Sequence, residues 1–215
     1  MQWPALNTIQ SLVDLPEGYS WDFLGADEIN AAIEFFKTWF PSIAVGMGSV
    51  FLDERFYRDN VSKHGELDMP ILAVVVRHGE QIVGIATWEK ISGADVIYGR
   101  VGAVAKHHRK SSIATIGMVL GERIGQLMGA GLIYGMATTT TPYMQQALEH
   151  AGYSVAGIMP GYDREEVEPG LVRRVYEVIY VKKLSDDAEF ITPSAHNLTP
   201  RVAEVYAAMF GALIN

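Results

Sequence analysis

One short segment of the chain has the residue types of an anion-binding turn. The stretch from Lys106 to Ala114 is basic and rich in small residues, and it lies between a strand pattern that ends at Val104 and an amphipathic helix pattern. Helix starts present backbone N–H groups without intrahelical acceptors, and small residues let a diphosphate approach them closely. The segment has neither the Walker pattern nor Gly-x-Gly-x-x-Gly, so it indicates neither a P-loop nor a Rossmann site. We therefore expect a phosphate-bearing cofactor of another kind at this turn.

The six residues of the turn, Arg109-Lys110-Ser111-Ser112-Ile113-Ala114, resemble the acetyl-CoA pyrophosphate loop of the GNAT superfamily of N-acetyltransferases, which reads Arg/Gln-x-x-Gly-x-Gly/Ala. Ser112 stands where the family usually has its first glycine, which narrows the backbone angles available there. A second similarity follows at the family's spacing: a strand pattern over 132–138, a helix pattern over 142–151, and then Gly152-Tyr153 where the family usually has Gly-Phe. The resemblance covers residues 71–184.

The resemblance implies acetyl-CoA, or another acyl-CoA, as the cofactor. Its pantetheine arm is expected to lie between two splayed parallel strands, Val96 to Val104 and Leu132 to Thr138. The residues expected at the cofactor are Ala103, Val104, Arg109, Lys110, Ser111, Ser112, Ile113, Ala114 and Thr141. The acceptor amine is expected to attack the thioester directly, so catalysis depends on positioning and on proton transfer. The chain has no cysteine, which independently excludes an acyl-cysteine mechanism.

The chain departs from the family at the usual catalytic positions. Leu148 stands where relatives commonly carry a tyrosine, and Thr141 stands where relatives often carry an asparagine on the helix. Tyr98 stands where some relatives have a carboxylate base, and we predict it as the polar group at the reaction centre. Tyr143 and Glu89 are the alternative catalytic residues, which would donate or relay a proton through water. In the competing interpretation Tyr98 is a half-buried strand aromatic and a water chain moves the protons.

The hydrophobic pattern predicts the elements that position these residues. Helices are expected over 26–40, 51–61, 112–128, 142–151 and 200–213, and strands over 71–76, 82–88, 96–104, 132–138, 153–159 and 172–183, with a possible short strand at 19–24. An acidic loop over 163–168 is expected to join the last two strands. This order predicts a mixed α/β (α+β) fold of the GNAT-like acyl-CoA N-acyltransferase type, with a central mixed sheet of six or seven strands flanked by helices. We expect an N-acetyltransferase domain over 1–184 and a C-terminal helical extension over 185–215.

The composition narrows the class of partner. Hydrophobic residues make up 49% of the 215 residues and charged residues 20%, which is typical of a globular protein. The net charge of −8 opposes binding to nucleic acid. Apolar runs are too short for a membrane helix, and the first residues lack the order of a signal peptide, so we expect a cytoplasmic protein with no membrane partner.

Other features have simpler explanations. His107 and His108 point apart and lack an evident third ligand, so we expect no metal and place them beside the cofactor phosphates. Four glycines recur at every fourth position of the long helix, and we attribute them to close approach of the helix to the sheet: Gly117, Gly121, Gly125 and Gly129. The acidic loop is either a solvated turn or a rim that attracts a cationic amine. The apolar face of the terminal helix is compatible with a homodimer.

The sequence thus predicts transfer of an acetyl or short acyl group from acyl-CoA to a primary amine of a small molecule or a protein. Two alternatives stay open. The first is a GNAT-fold acyl-CoA-binding regulatory module with little turnover, because the usual tyrosine is absent. The second is an unrelated α/β binding protein.

Overall fold

The computed structural model describes residues 2–64 and 66–211. The chain divides into two compact units, Met1–Leu184 and Ser185–Asn215. The first unit carries the whole sheet. Within the second, α6 covers Pro200–Phe210, and the side chain of Thr199 accepts a hydrogen bond from the N–H of Val202 and caps it. The predicted end of this helix at Leu213 lies outside the described residues.

One mixed sheet organises the first unit, with eight strands among the described residues. The strands are β1 Tyr19–Phe23, β2 Val61–Ser62, β3 Ile71–His78, β4 Gln81–Ile91, β5 Val96–Val104, β6 Leu132–Thr138, β7 Ser154–Glu168 and β8 Leu171–Lys183. Their order is β1-β3-β4-β5-β6-β8-β7, with the two-residue β2 beside β3. Neighbouring strands are antiparallel except for the parallel pairs β2–β3 and β5–β6. The predicted mixed sheet is confirmed, the possible strand at 19–24 is present as β1, and the strand that was not predicted is the two-residue β2.

Helices cover both faces of this sheet. They are α1 Leu6–Leu12, α2 Ile29–Trp39, α3 Glu54–Asn60, α4 Ile113–Leu127 and α5 Tyr143–His150. The sequence analysis missed α1, which has only seven residues and buries Ile9 alone. The predicted helix over 51–61 is in fact a 3-10 helix, Met47–Leu52, followed by α3. The Asp53 side chain accepts from the N–H of Arg55, and this cap starts the second helix.

The acidic loop predicted over 163–168 is wrong, because these residues belong to β7. The strand runs through them to Glu168, and β8 starts at Leu171 after a turn at Gly170, which has φ +76°. Register shifts within β7 absorb the Pro160-Gly161 stretch, and beyond it Glu165 lies opposite Arg173. The ladder with β8 therefore holds this acidic segment as a strand, although its composition is that of a loop.

The glycines of α4 stand in different surroundings, so close packing explains some of them and not others. A Cβ at Gly121 would collide with the Trp88 indole of β4, and a Cβ at Gly125 would meet the Leu184 side chain. At Gly117, by contrast, a Cβ would meet nothing within 4 Å, although the residue is buried. Close approach of the helix to its surroundings therefore explains Gly121 and Gly125 and leaves Gly117 beside open space.

Candidate active site

Two parallel strands separate in the middle of the sheet. β5 and β6 pair from Val96 opposite Leu132 to Gly99 opposite Gly135, and beyond that point they share no register. β6 continues beside β8 as far as Thr138, while β5 continues beside β4. The cleft between them has a volume of about 50 Å³ and is bounded on the helix side by the side chains of Met118, Met144, Leu148 and Tyr153. A slender, largely apolar group fits this opening.

A β-bulge bends β5 away from β6. Arg100 and Val101 of β5 both lie opposite the single residue Thr87 of β4. The Thr87 hydroxyl is buried, donates to the Val101 carbonyl at 2.8 Å and accepts from the Val101 N–H at 3.0 Å. One side chain thus satisfies the two backbone groups that the bulge withdraws from the ladder. The backbone from Arg100 to Gly102 then borders the cleft.

The turn after β5 ends at an uncapped helix. A 3-10 helix, Lys106–His108, follows Ala105, and α4 begins at Ile113 with no side chain capping its N-terminus. Ser112 has φ 62° and ψ 6°, the left-handed conformation that glycine adopts most readily. The resemblance thus has a structural reason at this position, because the family's glycine suits the same backbone. The N–H groups of the first turn of α4 have no intrahelical acceptors and suit an anion.

The predicted cofactor residues occupy different parts of this region. Ala103 and Val104 end β5 beside the cleft, whereas Lys110, Ser111, Ser112, Ile113 and Ala114 form the turn and the helix start. Arg109 donates from Nε to the Val104 carbonyl and from Nη2 to the Trp39 carbonyl, both at 2.9 Å. The other three of its five N–H donors have no partner among the described residues. Thr141 is exposed, just ahead of α5, and its carbonyl accepts from Gln145.

The two histidines of the turn contact protein rings. His108 Nδ1 is 2.9 Å from the Tyr19 hydroxyl, and the His78 ring lies 5.5 Å from that of His108. His107 meets the Trp39 ring edge-on at 6.4 Å. Among residues 2–64 and 66–211, no three side chains of types that bind metals come close enough to hold an ion.

Tyr98 stands at the point where the strands separate. Its ring stacks on that of Tyr134, its partner on β6, with centroids 4.6 Å apart and planes 8° from parallel. Burial raises the pKa of both phenols, so each stays protonated at neutral pH and can donate a proton. We call the side of the sheet that carries Tyr98 and Tyr134 the tyrosine face. Because side chains alternate along a strand, it is opposite to the side on which Gly135 meets Leu148 of α5.

The structure brings together only two of the three predicted catalytic residues. Glu89 lies opposite Tyr98 on β4, and its carboxylate is 2.6 Å from Arg100 Nη1 in an ion pair. Tyr143 is 73% exposed at the start of α5 and does not line the cleft. Tyr98 and Glu89 are thus neighbours, and Tyr143 lies apart from them.

Sequence reasoning missed Glu177 of β8. This residue lies opposite Thr138 of β6, on the tyrosine face, and is only 8% exposed. Burial raises its pKa to about 7, with repulsion from Glu165 and Asp163 adding to the effect. The sequence did contain a signal. Glu177 lies on the same side of the strand as Val175 and Ile179, which are both apolar, so a charged residue at this position is unexpected.

No protein-family model matches the chain, and no curated protein matches its sequence. Solved structures do match. The ribosomal-protein-S5-alanine acetyltransferase from Vibrio fischeri is 10% identical, with a TM-score of 0.61, over 82% of this chain and 98% of its own. A putative acetyltransferase from Salmonella typhimurium, solved with its cofactor acetyl-CoA, is 14% identical, with a TM-score of 0.61, over 83% of this chain and 99% of its own. The spermidine/spermine N-acetyltransferase from Vibrio cholerae is 10% identical, with a TM-score of 0.60, over 78% of this chain and 94% of its own.

These likenesses show that the chain has the fold of the GNAT acetyltransferases, as the resemblance of its loop predicts. They extend over nearly the whole length of each matched protein. No helix among the described residues has both the length and the apolar character needed to span a membrane.

Proposed function

We propose that the chain is a GNAT acyltransferase that moves an acetyl or short acyl group from acyl-CoA to a primary amine by direct attack. The observation that carries the proposal is the separation of β5 from β6 just ahead of an uncapped helix start. A cleft next to an anion-binding turn suits a molecule in which a slender arm joins a diphosphate to a thioester. Solved acetyltransferases share the fold, one of them with acetyl-CoA bound.

The residues present fit acyl-CoA at two points. The N–H groups from Ile113 to Thr115 lack a capping side chain, so they offer an anion the hydrogen bonds that the protein does not make. Beyond Gly99 the edge of β5 that faced β6 has no strand partner, and Arg100 and Gly102 line the cleft, where amide groups of the pantetheine arm can pair with this edge. When bound, acyl-CoA supplies the acyl group as an activated thioester.

The chain's own residues then position the reactants and move protons. Residues at the turn hold the diphosphate, and the narrow cleft excludes water from the thioester. Tyr98 lies one position before the last β5–β6 pair, where the strands separate, and has a neutral phenol, so we assign it as the proton donor to the departing sulfur. No side chain of the mechanism forms a covalent bond with the acyl group.

Two measurements test this proposal. Calorimetry with CoA is expected to show binding, and thiol release from acetyl-CoA is expected to increase when primary amines are added. Arg109→Glu should weaken CoA binding by about tenfold or more, since it puts a negative charge beside the diphosphate. Arg123→Glu, the same reversal on the exposed side of α4, is the matched control. Equal CoA affinity in wild type and Arg109→Glu would contradict the proposed loop.

Tyr98→Phe separates catalysis from binding. The variant should slow turnover by about tenfold or more while CoA affinity changes little, because it removes only the hydroxyl. An unchanged rate would remove Tyr98 from the mechanism. Tight CoA binding without thiol release for any amine would favour a regulatory module over an enzyme.

A further inference from the structure

A buried carboxylate on the tyrosine face has no partner. Glu177 is 8% exposed, and its carboxylate neither accepts a hydrogen bond nor forms an ion pair with the described residues. Burial of a carboxylate without a partner is unfavourable, and a buried titratable group with a perturbed pKa near a cleft is a candidate functional residue. Glu177 lies opposite Thr138, three register positions past the last β5–β6 pair at Gly135, or about 10 Å along the strand. It therefore lies beyond the point where the strands separate, on the tyrosine face.

The surroundings of Glu177 are acidic. Asp163 and Glu165 of β7 both act on its charge, and neither is ion-paired: Asp163 accepts from the Met47 N–H at 2.8 Å, and Glu165 accepts from the Thr140 hydroxyl at 2.9 Å. Of the cations that the strand phase places on this face, Arg100 is bound to Glu89, and Arg173 of β8 lies opposite Glu165 at an exposed position. These groups leave a net negative charge around the Glu177 carboxylate.

Aromatic rings complete the site. The stacked rings of Tyr98 and Tyr134 form a flat surface, and both phenols interact electrostatically with Tyr162 of β7. Glu177 is near enough to Tyr98 to act on the pKa of that phenol. Tyrosine faces attract organic cations and accommodate their hydrocarbon parts. The three tyrosines and three carboxylates together select for a cation with an apolar body.

We propose that Glu177 binds the ammonium group of the acceptor and accepts its proton, and that the acceptor is an organic amine with no carboxylate next to its nitrogen. The inference rests on the proposed acyl transfer. An α-carboxylate would meet the negative charges of Asp163 and Glu165, and Arg100 is not available to neutralise it because Glu89 already holds it.

The ammonium gives one proton to the Glu177 carboxylate, and the freed nitrogen lone pair forms the C–N bond to the thioester carbon as the C–S bond breaks. The second proton of the nitrogen leaves as the amide forms, and the departing sulfur receives one from the Tyr98 phenol, which is replenished from that nitrogen proton. Glu177 then releases its proton to solvent.

Matched pairs of amines test the choice of acceptor. Ethylamine with alanine and phenethylamine with phenylalanine differ within each pair only in the α-carboxylate. With acetyl-CoA and the full chain, we expect kcat/KM to be at least about tenfold higher for the member without the carboxylate. Equal or higher kcat/KM for the amino acids would overturn the proposed substrate class.

The variant Glu177→Gln tests the carboxylate. We expect CoA affinity within about twofold of wild type, and kcat/KM for the preferred amine lower by roughly 10- to 100-fold, the usual effect of losing a hydrogen bond to a charged group. Glu177→Asp should recover part of the loss. Glu168→Gln removes the same charge from an exposed position of the same hairpin and should behave like wild type. Melting curves of each variant confirm that it is folded.

The outcomes separate the two proposals. If wild type releases no thiol with any amine, the proposed function fails. If wild type turns over but Glu177→Gln matches Glu168→Gln in kcat/KM, the acyl transfer stands and the assignment of Glu177 is refuted.

Discussion

Glu177 makes the stability of the fold depend on pH in a direction that can be measured. Burial, and then repulsion from Glu165 and Asp163, raises the pKa of this carboxyl from its ordinary 4.5 to about 7. Between these two pH values the folded chain binds the proton more tightly than the unfolded chain does. The stability that protonation confers is therefore complete below pH 4.5 and is lost as pH rises through about 7. At one pKa unit per 1.36 kcal/mol, the loss reaches at most roughly 3 kcal/mol.

Glu177→Gln removes this titration and keeps the shape of the side chain. The variant should be close to wild type in unfolding free energy near pH 5 and more stable by up to about 3 kcal/mol at pH 8. Urea unfolding at several pH values measures the difference, and Glu168→Gln serves as the control in which no pH-dependent difference is expected. Arg100, Tyr98 and the acidic neighbours remain in both proteins, so their titrations cancel. A difference that is constant from pH 5 to pH 8, or a variant less stable at pH 8, would refute the reasoning.

Three further predictions concern the parts that shape the cleft. Gly121→Ala should destabilise the fold by about 1–3 kcal/mol because the added methyl group meets the Trp88 indole. Gly117→Ala has open space at its Cβ and should be neutral or stabilising by up to about 1 kcal/mol. Thermal melts of both variants test this prediction, and equal effects would contradict it. Thr87→Val should lower the unfolding free energy by about 1–3 kcal/mol because both backbone groups of Val101 lose their partner, and an unchanged urea midpoint would show that the hydroxyl is dispensable. Ser112→Gly should exceed Ser112→Ala in stability by about 1 kcal/mol, since only glycine adopts φ 62° without strain, and the opposite ranking in denaturant titrations would argue against this conformation.

Local patterns predicted much of the framework. The strands β3 and β4 and the amphipathic helix α4 were all predicted within a few residues of their observed bounds. The loop resemblance led to the fold that the solved structures share. Patterns of this kind succeed because burial on one side of an element imposes its own period on the sequence.

Other features depend on partners distant in the chain. The acidic end of β7 is a strand because β8 pairs with it, although its composition is that of a loop. Gly117 and Gly121 look alike in sequence, yet only the second faces an indole. Tyr143 and Tyr98 are equally suited to proton transfer by residue type, but only Tyr98 lies where the strands separate.

The sequence by itself determined the residue types of the turn and its place before a helix, where the first backbone N–H groups lack intrahelical acceptors in any fold. The tertiary structure alone decided which titratable groups meet on the tyrosine face. Tyr98, Tyr134 and Glu177 come from three strands, and their proximity follows from the order β5-β6-β8. The pKa of Glu177 and its lack of a partner are consequences of that order, since burial and neighbouring charge arise only when the strands assemble.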